Sequence, residues 1–123
     1  MEGNPLSTVN LVESTFNDTV TGNDIVLIDF WAEWCLPCRS FGPVYEKVSA
    51  DFPNIVFAKV DTEDQQALAQ SFGITSIPTL MAIRDKVVLY AEAGALPEPA
   101  LRDLVNKVQD VNMDDVRAEL AKQ

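Results

Sequence analysis

Apolar residues are grouped in short blocks along the chain, and the spacing within each block predicts strands and helices in alternation. Continuous apolar runs rich in β-branched and aromatic residues, such as Ile25–Trp31, are typical of strands buried on both faces. Apolar residues three and four positions apart, such as Phe41, Val44, Tyr45 and Val48, predict helices with one buried face. The predicted strands are Leu6–Leu11, Ile25–Trp31, Ile55–Val60, Thr79–Arg84 and Val87–Ala91. The predicted helices are Glu13–Val20, Cys35–Asp51, Thr62–Phe72 and Pro97–Val111.

Turn and capping residues refine these boundaries. Thr62 is predicted to cap the third helix at its N-terminus, and Gly73 is predicted to end it. Asp85-Lys86 predicts a tight hairpin turn. Because both central residues of the preferred turns can need positive φ, Lys86 should cost some stability unless the turn is of another type. Asn112 is a candidate cap for residues 112–123, which form either a separate short helix or a continuation of the preceding one.

This order of elements predicts an α/β fold, with a central mixed sheet of about five strands and helices on both faces. Parallel crossovers in such a sheet are expected to be right-handed. The 123 residues suffice for one domain with a substantial core. We expect the domain to span residues 1–111 and a short charged extension to span residues 112–123.

Charge composition excludes several classes of function. Nine Lys and Arg against 19 Asp and Glu give a net charge of −10, which argues against nucleic acids and anionic membranes as partners. The chain has no histidine, so histidine-based triads and histidine zinc sites are excluded. The first residues lack the basic and apolar regions of a secretory signal, and no apolar run could span a bilayer. The expected location is therefore the cytoplasm.

Two cysteines, Cys35 and Cys38, carry the strongest chemical signal. They lie where a predicted buried strand passes into a predicted helix, so free N–H groups and the helix dipole favour a Cys35 thiolate. Its pKa should fall from about 8.5 toward roughly 7 or lower. Cys38 faces the same side of the helix and can resolve a mixed disulfide on Cys35. Pro37, which has no N–H, suits the first helical turn.

Two other interpretations of the cysteine pair stay open. The pair can be two buried thiols without a chemical role. It can also be half of a zinc site, although the chain has no further Cys or His ligands, so a symmetric dimer or a partner would have to supply them. The redox interpretation is favoured, because a Cys-x-x-Cys pair in a reducing compartment is more often redox-active or metal-binding than structural.

Three segments resemble the thioredoxin family: Val26–Cys38 (VLIDFWAEWCLPC), Ile77-Pro78-Thr79 and Gly94-Ala95-Leu96. The resemblance extends from about residue 6 to residue 111. It implies a thioredoxin fold and a dithiol–disulfide oxidoreductase activity. It also implies disulfide-containing proteins as substrates and recycling by an NADPH-dependent thioredoxin reductase. We expect the protein to act as a monomer, without a cofactor or a metal.

The resemblance also assigns roles to residues around the cysteines. Asp29, a carboxylate in an apolar strand, matches the family's buried acid; its pKa should be raised, and it should accept a proton from Cys38. A solvated position at the strand end is the alternative. Lys59 matches the lysine partner of that acid. Trp31 is expected to pack beneath the site, and Pro43 is expected to kink the helix.

An apolar rim around Cys35 is the expected substrate-binding surface. The resemblance implies a cis Ile77-Pro78 bond that leaves the Ile77 backbone free to pair with an extended substrate segment. Leu36 departs from the family, which has glycine there, and residues between the cysteines influence the reduction potential. The expected substrate-binding residues are Trp34, Leu36, Pro37, Ile77, Pro78 and Gly94.

The favoured function is reduction of protein disulfides through Cys35 and Cys38. Pro37 is present and no histidine lies between the cysteines, which favours a reductant. One alternative is a specialised variant with a raised reduction potential. The other is a thioredoxin-fold module that binds partners, or acts as a chaperone, without turnover.

Overall fold

A five-stranded mixed sheet forms the centre of the computed structural model, which describes residues 7–123. The strands are β1 (Thr8–Asn10), β2 (Ile25–Trp31), β3 (Val56–Asp61), β4 (Thr79–Arg84) and β5 (Val87–Ala93). Their order in the sheet is β1-β3-β2-β4-β5. β1 and β2 run parallel to β3, whereas β4 is antiparallel to both β2 and β5. The predicted mixed sheet is confirmed; Leu6, in the predicted first strand, lies outside the described residues.

Helices cover both faces of this sheet. They are α1 (Glu13–Thr21), α2 (Leu36–Ser49), α3 (Gln66–Ser71), α4 (Glu98–Asp110) and α5 (Met113–Ala121). Side chains of α2 and α4 pack on one face, and side chains of α1 and α3 pack on the other. The predicted layering is therefore confirmed. No helix within residues 7–123 is both long and apolar enough to cross a bilayer.

Side chains of β2 alternate between two apolar clusters, and this alternation positions Asp29. Leu27 packs with residues of α2 and α4, whereas Ile28 belongs to the cluster on the opposite face. Because successive strand residues point to opposite faces, Asp29 shares the face of Leu27 and points toward α2. Asp29 lies opposite Lys59 of β3 and Leu80 of β4. The carboxyl group therefore lies in the middle of the sheet, on the side that α2 covers.

The third predicted helix begins later than expected. α3 begins at Gln66, and the residues just before it form a turn, so the prediction that Thr62 caps the helix is wrong. The side chain of Asp61 accepts the backbone N–H of Glu63 at 2.9 Å, a local bond that competes with helix formation. Gly73, with φ of 67°, ends the helix as predicted. Bounds of the other predicted elements lie within two residues of those observed.

The hairpin turn between β4 and β5 places two non-glycine residues at positive φ. Asp85 has φ of 51° and Lys86 has φ of 68°. Both central residues therefore adopt the conformation that the preferred two-residue turns require. Aspartate tolerates this left-handed conformation better than lysine does, so the expected cost at Lys86 applies to the turn that forms.

The C-terminal residues fold as a separate helix that packs on the sheet domain. Val111 is extended and interrupts the helical path between α4 and α5. Asn112 caps α5 as predicted, because its side-chain oxygen accepts the Asp115 N–H at 3.1 Å. Met113 is buried. Arg84 of β4 donates to three carbonyl oxygens around the end of α4 at 2.7–2.9 Å. Of the two alternatives for this segment, the separate helix is observed.

Replacing Lys86 with glycine is expected to stabilise the protein. Glycine adopts positive φ without the steric cost of a Cβ, although it also raises the entropy of the unfolded chain. The net gain in the free energy of unfolding should be about 0.5–1 kcal/mol. Urea unfolding of the oxidised protein measures it. Lys86→Ala is the control, because it removes the same charge without relieving the backbone; an equal gain in both variants would contradict the argument.

Candidate active site

Cys35 and Cys38 lie at the start of α2 and are joined as a disulfide. Cys35 is the N-cap residue, and its Sγ accepts the backbone N–H of Cys38 at 3.2 Å. Pro37 lies in the first turn of α2, where a missing N–H breaks no helical hydrogen bond. After reduction, the same helix terminus offers N–H donors and a favourable dipole to a Cys35 thiolate.

The loop before β4 forms a second wall beside the cysteines. The Ile77-Pro78 peptide bond is cis, as the resemblance implies. The carbonyl oxygen of Ile77 lies 3.7 Å from Cys35 Sγ. Gly94 donates its N–H to the Pro78 carbonyl at 2.8 Å, and its φ of 116° is one that residues with a Cβ rarely adopt. Backbone groups therefore connect Cys35, the Ile77 loop and Gly94.

Large apolar side chains on both sides of Cys35 in the sequence are exposed to solvent. Trp34 is 66% exposed and Leu36 is 72% exposed. Ile77 is half-buried and packs against the two cysteines, whereas Pro78 is buried. Exposed apolar surface of this kind is typical of a protein-binding site. Pro78, by contrast, offers a partner less surface than the sequence suggested.

Asp29 is the one fully buried carboxylate in the described part of the chain. Neither side-chain oxygen has a hydrogen-bond partner within residues 7–123. Burial raises the pKa of Asp29 to about 7, and the positive charge of Lys59 limits the rise. The alternative of a solvated carboxylate at the strand end is therefore wrong. A carboxyl group with this pKa can exchange a proton near neutral pH.

Lys59 is held over an aromatic ring near the cysteines. Its Nζ lies 4.7 Å from the centroid of the Trp31 ring, a cation–π contact. Trp31 therefore positions the lysine in addition to packing beneath the site. Sequence reasoning missed this contact. The available signal was strand periodicity, because Trp31 is two residues from Asp29 in β2 and shares its face.

Tyr45 is a second feature that sequence reasoning treated only as core. Its ring is fully buried between Phe41 and Phe57. Its hydroxyl donates to the Ala58 carbonyl at 2.8 Å. Burial raises the pKa of Tyr45, and the nearby Asp29 charge raises it further. The phenol therefore stays neutral and contributes to the dry surroundings of the carboxyl group.

Comparison with known proteins agrees with this geometry. Residues 7–107 match the family model for thioredoxin. The chain belongs to the thioredoxin family. It is 56% identical over 117 residues to a putative thioredoxin 2 of Streptomyces coelicolor, covering 95% of this chain and 87% of that protein. It is 36% identical over 101 residues to a thioredoxin of Haemophilus influenzae, covering 80% of this chain and 94% of that protein.

Solved thioredoxin structures share the fold. A single-site mutant of a thioredoxin from Halobacterium salinarum superposes with a TM-score of 0.79 at 29% identity, covering 90% of this chain and 99% of that one. Family membership and the Cys-x-x-Cys pair make this thioredoxin-family protein a protein-disulfide oxidoreductase. Within residues 7–123, no three His, Cys, Asp or Glu side chains form a group that could hold a metal ion.

The raised pKa of Asp29 makes the stability of this thioredoxin-family protein depend on pH. Between about pH 4 and pH 7 the unfolded chain loses the Asp29 proton while the folded protein keeps it, so stability falls as pH rises through this window. Asp29→Asn removes the effect. The free energy of unfolding of Asp29→Asn, relative to that of the wild type, should be roughly 3 kcal/mol higher at pH 8 than at pH 5.

Urea unfolding of both oxidised proteins at the two pH values measures this difference. Asp18→Asn, which removes an exposed carboxylate on α1, serves as the matched control and should show little pH-dependent gain. A gain of equal size in both variants would mean that overall charge, rather than burial of Asp29, is responsible.

Proposed function

We propose that the protein reduces disulfides of other proteins, with Cys35 as the nucleophile and Cys38 as the resolving thiol. The observation that carries this proposal is the position of the pair. Cys35 caps α2, its Sγ lies 3.7 Å from the Ile77 carbonyl, and α2 covers the face of the sheet that holds Asp29. The proposed nucleophile and resolving thiol thus share one helix terminus, and the proposed proton acceptor lies on the sheet face that the same helix covers.

The reaction needs two exchanges of sulfur bonds. The Cys35 thiolate attacks one sulfur of the substrate disulfide, so a mixed disulfide forms and the other substrate sulfur leaves as a thiolate. Cys38 then loses its proton and attacks Cys35 Sγ, which releases the second substrate thiolate and leaves the Cys35–Cys38 disulfide. Two electrons pass from the protein to the substrate.

Asp29 is proposed as the acceptor of the Cys38 proton, directly or through water. Its pKa of about 7 lets it accept and release that proton near neutral pH. Lys59 keeps part of the Asp29 population ionised, because its positive charge opposes the effect of burial. Trp31 supports this role by holding the lysine.

The substrate is proposed to bind at the apolar rim beside Cys35. Trp34 and Leu36 supply exposed apolar surface, and Pro37 is exposed next to them. The Ile77 backbone borders Cys35 and could pair with an extended segment. Gly94, which has no side chain and is joined to Pro78, leaves room for a partner backbone.

We also propose the setting in which the protein works. An NADPH-dependent thioredoxin reductase would return the disulfide to the dithiol, as the family implies. The proposed location is the cytoplasm, where thiols are kept reduced. The protein is proposed to act as a monomer, with the catalytic domain in residues 1–111 and the extension in residues 112–123.

Insulin reduction tests the activity. With dithiothreitol as the electron source, the wild type should accelerate insulin precipitation above the reductant-only rate, and Cys35→Ser should not. Cys38→Ser should instead accumulate a mixed disulfide, because its resolving thiol is missing. The assay is repeated with NADPH and thioredoxin reductase. No acceleration in either format would favour a binding module that uses the fold without turnover.

The pH profile of insulin reduction tests Asp29. The ionised carboxylate is the base, so the wild-type rate should rise with pH through about 7. Asp29→Asn should lower the rate at pH 7.5 by roughly a hundredfold, the low end of general-base effects, and should leave only the rise with pH that ionisation of Cys35 contributes. An unchanged profile would remove Asp29 from the mechanism; Asp18→Asn controls for the loss of a carboxylate.

A further inference from the structure

Positive charge is scarce in this protein, and most of it is already engaged. The chain has nine Lys and Arg. Arg84 binds carbonyl oxygens at the end of α4. Five more pair with carboxylates: Lys47, Arg102, Lys107, Arg117 and Lys122. Arg39, Lys59 and Lys86 form no ion pair with a carboxylate among residues 7–123, although the charge of Lys59 acts on Asp29 at longer range.

Two of these three cations line one cleft beside the resolving cysteine. Arg39 and Lys59 border a cleft of about 440 Å³ that also reaches Cys38. Lys86 lies in the hairpin turn between β4 and β5, outside this lining. In a chain of net charge −10, two cations that line one cleft and form no ion pair among residues 7–123 indicate a local preference for negative charge.

Glu46, the acidic residue that lines this cleft, already accepts hydrogen bonds at both of its carboxylate oxygens. One Glu46 oxygen accepts the Ser7 N–H and the other accepts the Thr8 hydroxyl, both at 2.6 Å. These bonds hold the carboxylate to β1, and Glu46 forms no ion pair with Arg39 or Lys59. Among the described residues, neither cation is therefore held in an ion pair.

Gly42 keeps the space over the lysine open. A Cβ at this position would lie 3.7 Å from Lys59 Nζ, so a longer side chain would extend over the ammonium group. Lys59 itself is half-buried and held on the Trp31 ring. Within the part of the chain that the structure describes, the ammonium group is thus positioned by Trp31 and borders the open cleft.

We propose that this cleft binds a small oxyanion, of the phosphate class, between the side chains of Arg39 and Lys59. The planar guanidinium group of Arg39 can donate two parallel hydrogen bonds to such a group, and Lys59 adds a point charge. Partial burial of Lys59 strengthens the attraction relative to open solvent.

A bound oxyanion offsets part of the Lys59 charge that acts on Asp29. It therefore slows transfer of the Cys38 proton and the release of substrate. This consequence rests on the proposed function, whereas binding to the oxidised protein does not. The two can consequently be tested separately.

Binding is tested by titrating the oxidised protein with inorganic phosphate at constant ionic strength, balanced with sodium chloride. Proton–nitrogen NMR follows the indole N–H of Trp31 and the amide of Gly42. Wild type should give saturable shifts. Arg39→Gln should bind about tenfold more weakly, since it loses a charged hydrogen-bonding partner. Lys86→Gln removes the same charge outside the cleft and should bind as wild type does.

Gly42→Leu tests the same site by filling it without changing any charge. If urea unfolding shows that Gly42→Leu is folded, this variant should show no saturable shifts. If Gly42→Leu does not fold, the exposed substitution Arg39→Gln decides the question. Chemical-shift changes that rise linearly with phosphate concentration, and are equal in Arg39→Gln and Lys86→Gln, would contradict the proposed site. Such changes reflect nonspecific ionic effects rather than binding.

The consequence for turnover is read from insulin reduction in phosphate against chloride at equal ionic strength. Phosphate should slow the wild type and Lys86→Gln, and it should have a smaller effect on Arg39→Gln. If phosphate binds saturably but does not slow insulin reduction, the binding site is supported and its proposed effect on proton transfer is wrong. Loss of insulin reduction in every sample would contradict the proposed function and leave the binding result intact.

Discussion

Burial of the Asp29 carboxyl group is the constraint on which the site depends. β2 has a neighbour on each side and helices over both faces, so a charged group there loses its contact with water. No hydrogen-bond donor within the described chain compensates the carboxylate. The Lys59 charge, positioned by Trp31, is the main opposing influence. The proton affinity of Asp29 therefore results from a balance between desolvation, which raises it, and the charge of Lys59, which lowers it.

α2 connects this buried group to the surface chemistry. Its N-terminus supplies the Cys38 N–H that Cys35 Sγ accepts, and its buried face carries Cys38, Phe41 and Tyr45 over the sheet. The aromatic side chains pack against β3, so the orientation of the helix is fixed by the core. The thiols are consequently held in position by residues that take no part in the chemistry.

Local patterns predicted most of the fold because each element has a strong period or a clear end signal. The buried strands and the Cys35 helix follow from apolar runs and spacing, and the order of elements then limits the topology. The start of α3 was missed because the Asp61 side chain bonds to the backbone and delays the helix. Strand periodicity places Trp31 on the face of Asp29, but the cation–π contact of Lys59 with Trp31 also depends on the pairing of β2 with β3, which the sequence pattern does not give.

The acidity of the chain and the chemistry of its thiols act over different distances. At physiological ionic strength, exposed charges are screened beyond roughly 8 Å. The nearest influence on the Cys35 sulfur is the Cys38 N–H at the N-terminus of α2, and the carboxyl group of Asp29 responds to Lys59. The net charge of −10 acts instead on approaching molecules, favouring basic surfaces and slowing acidic ones. An acidic surface is thus compatible with a thiol site at a helix N-terminus, because the approach of partners and the local environment of the thiols depend on separate sets of charges.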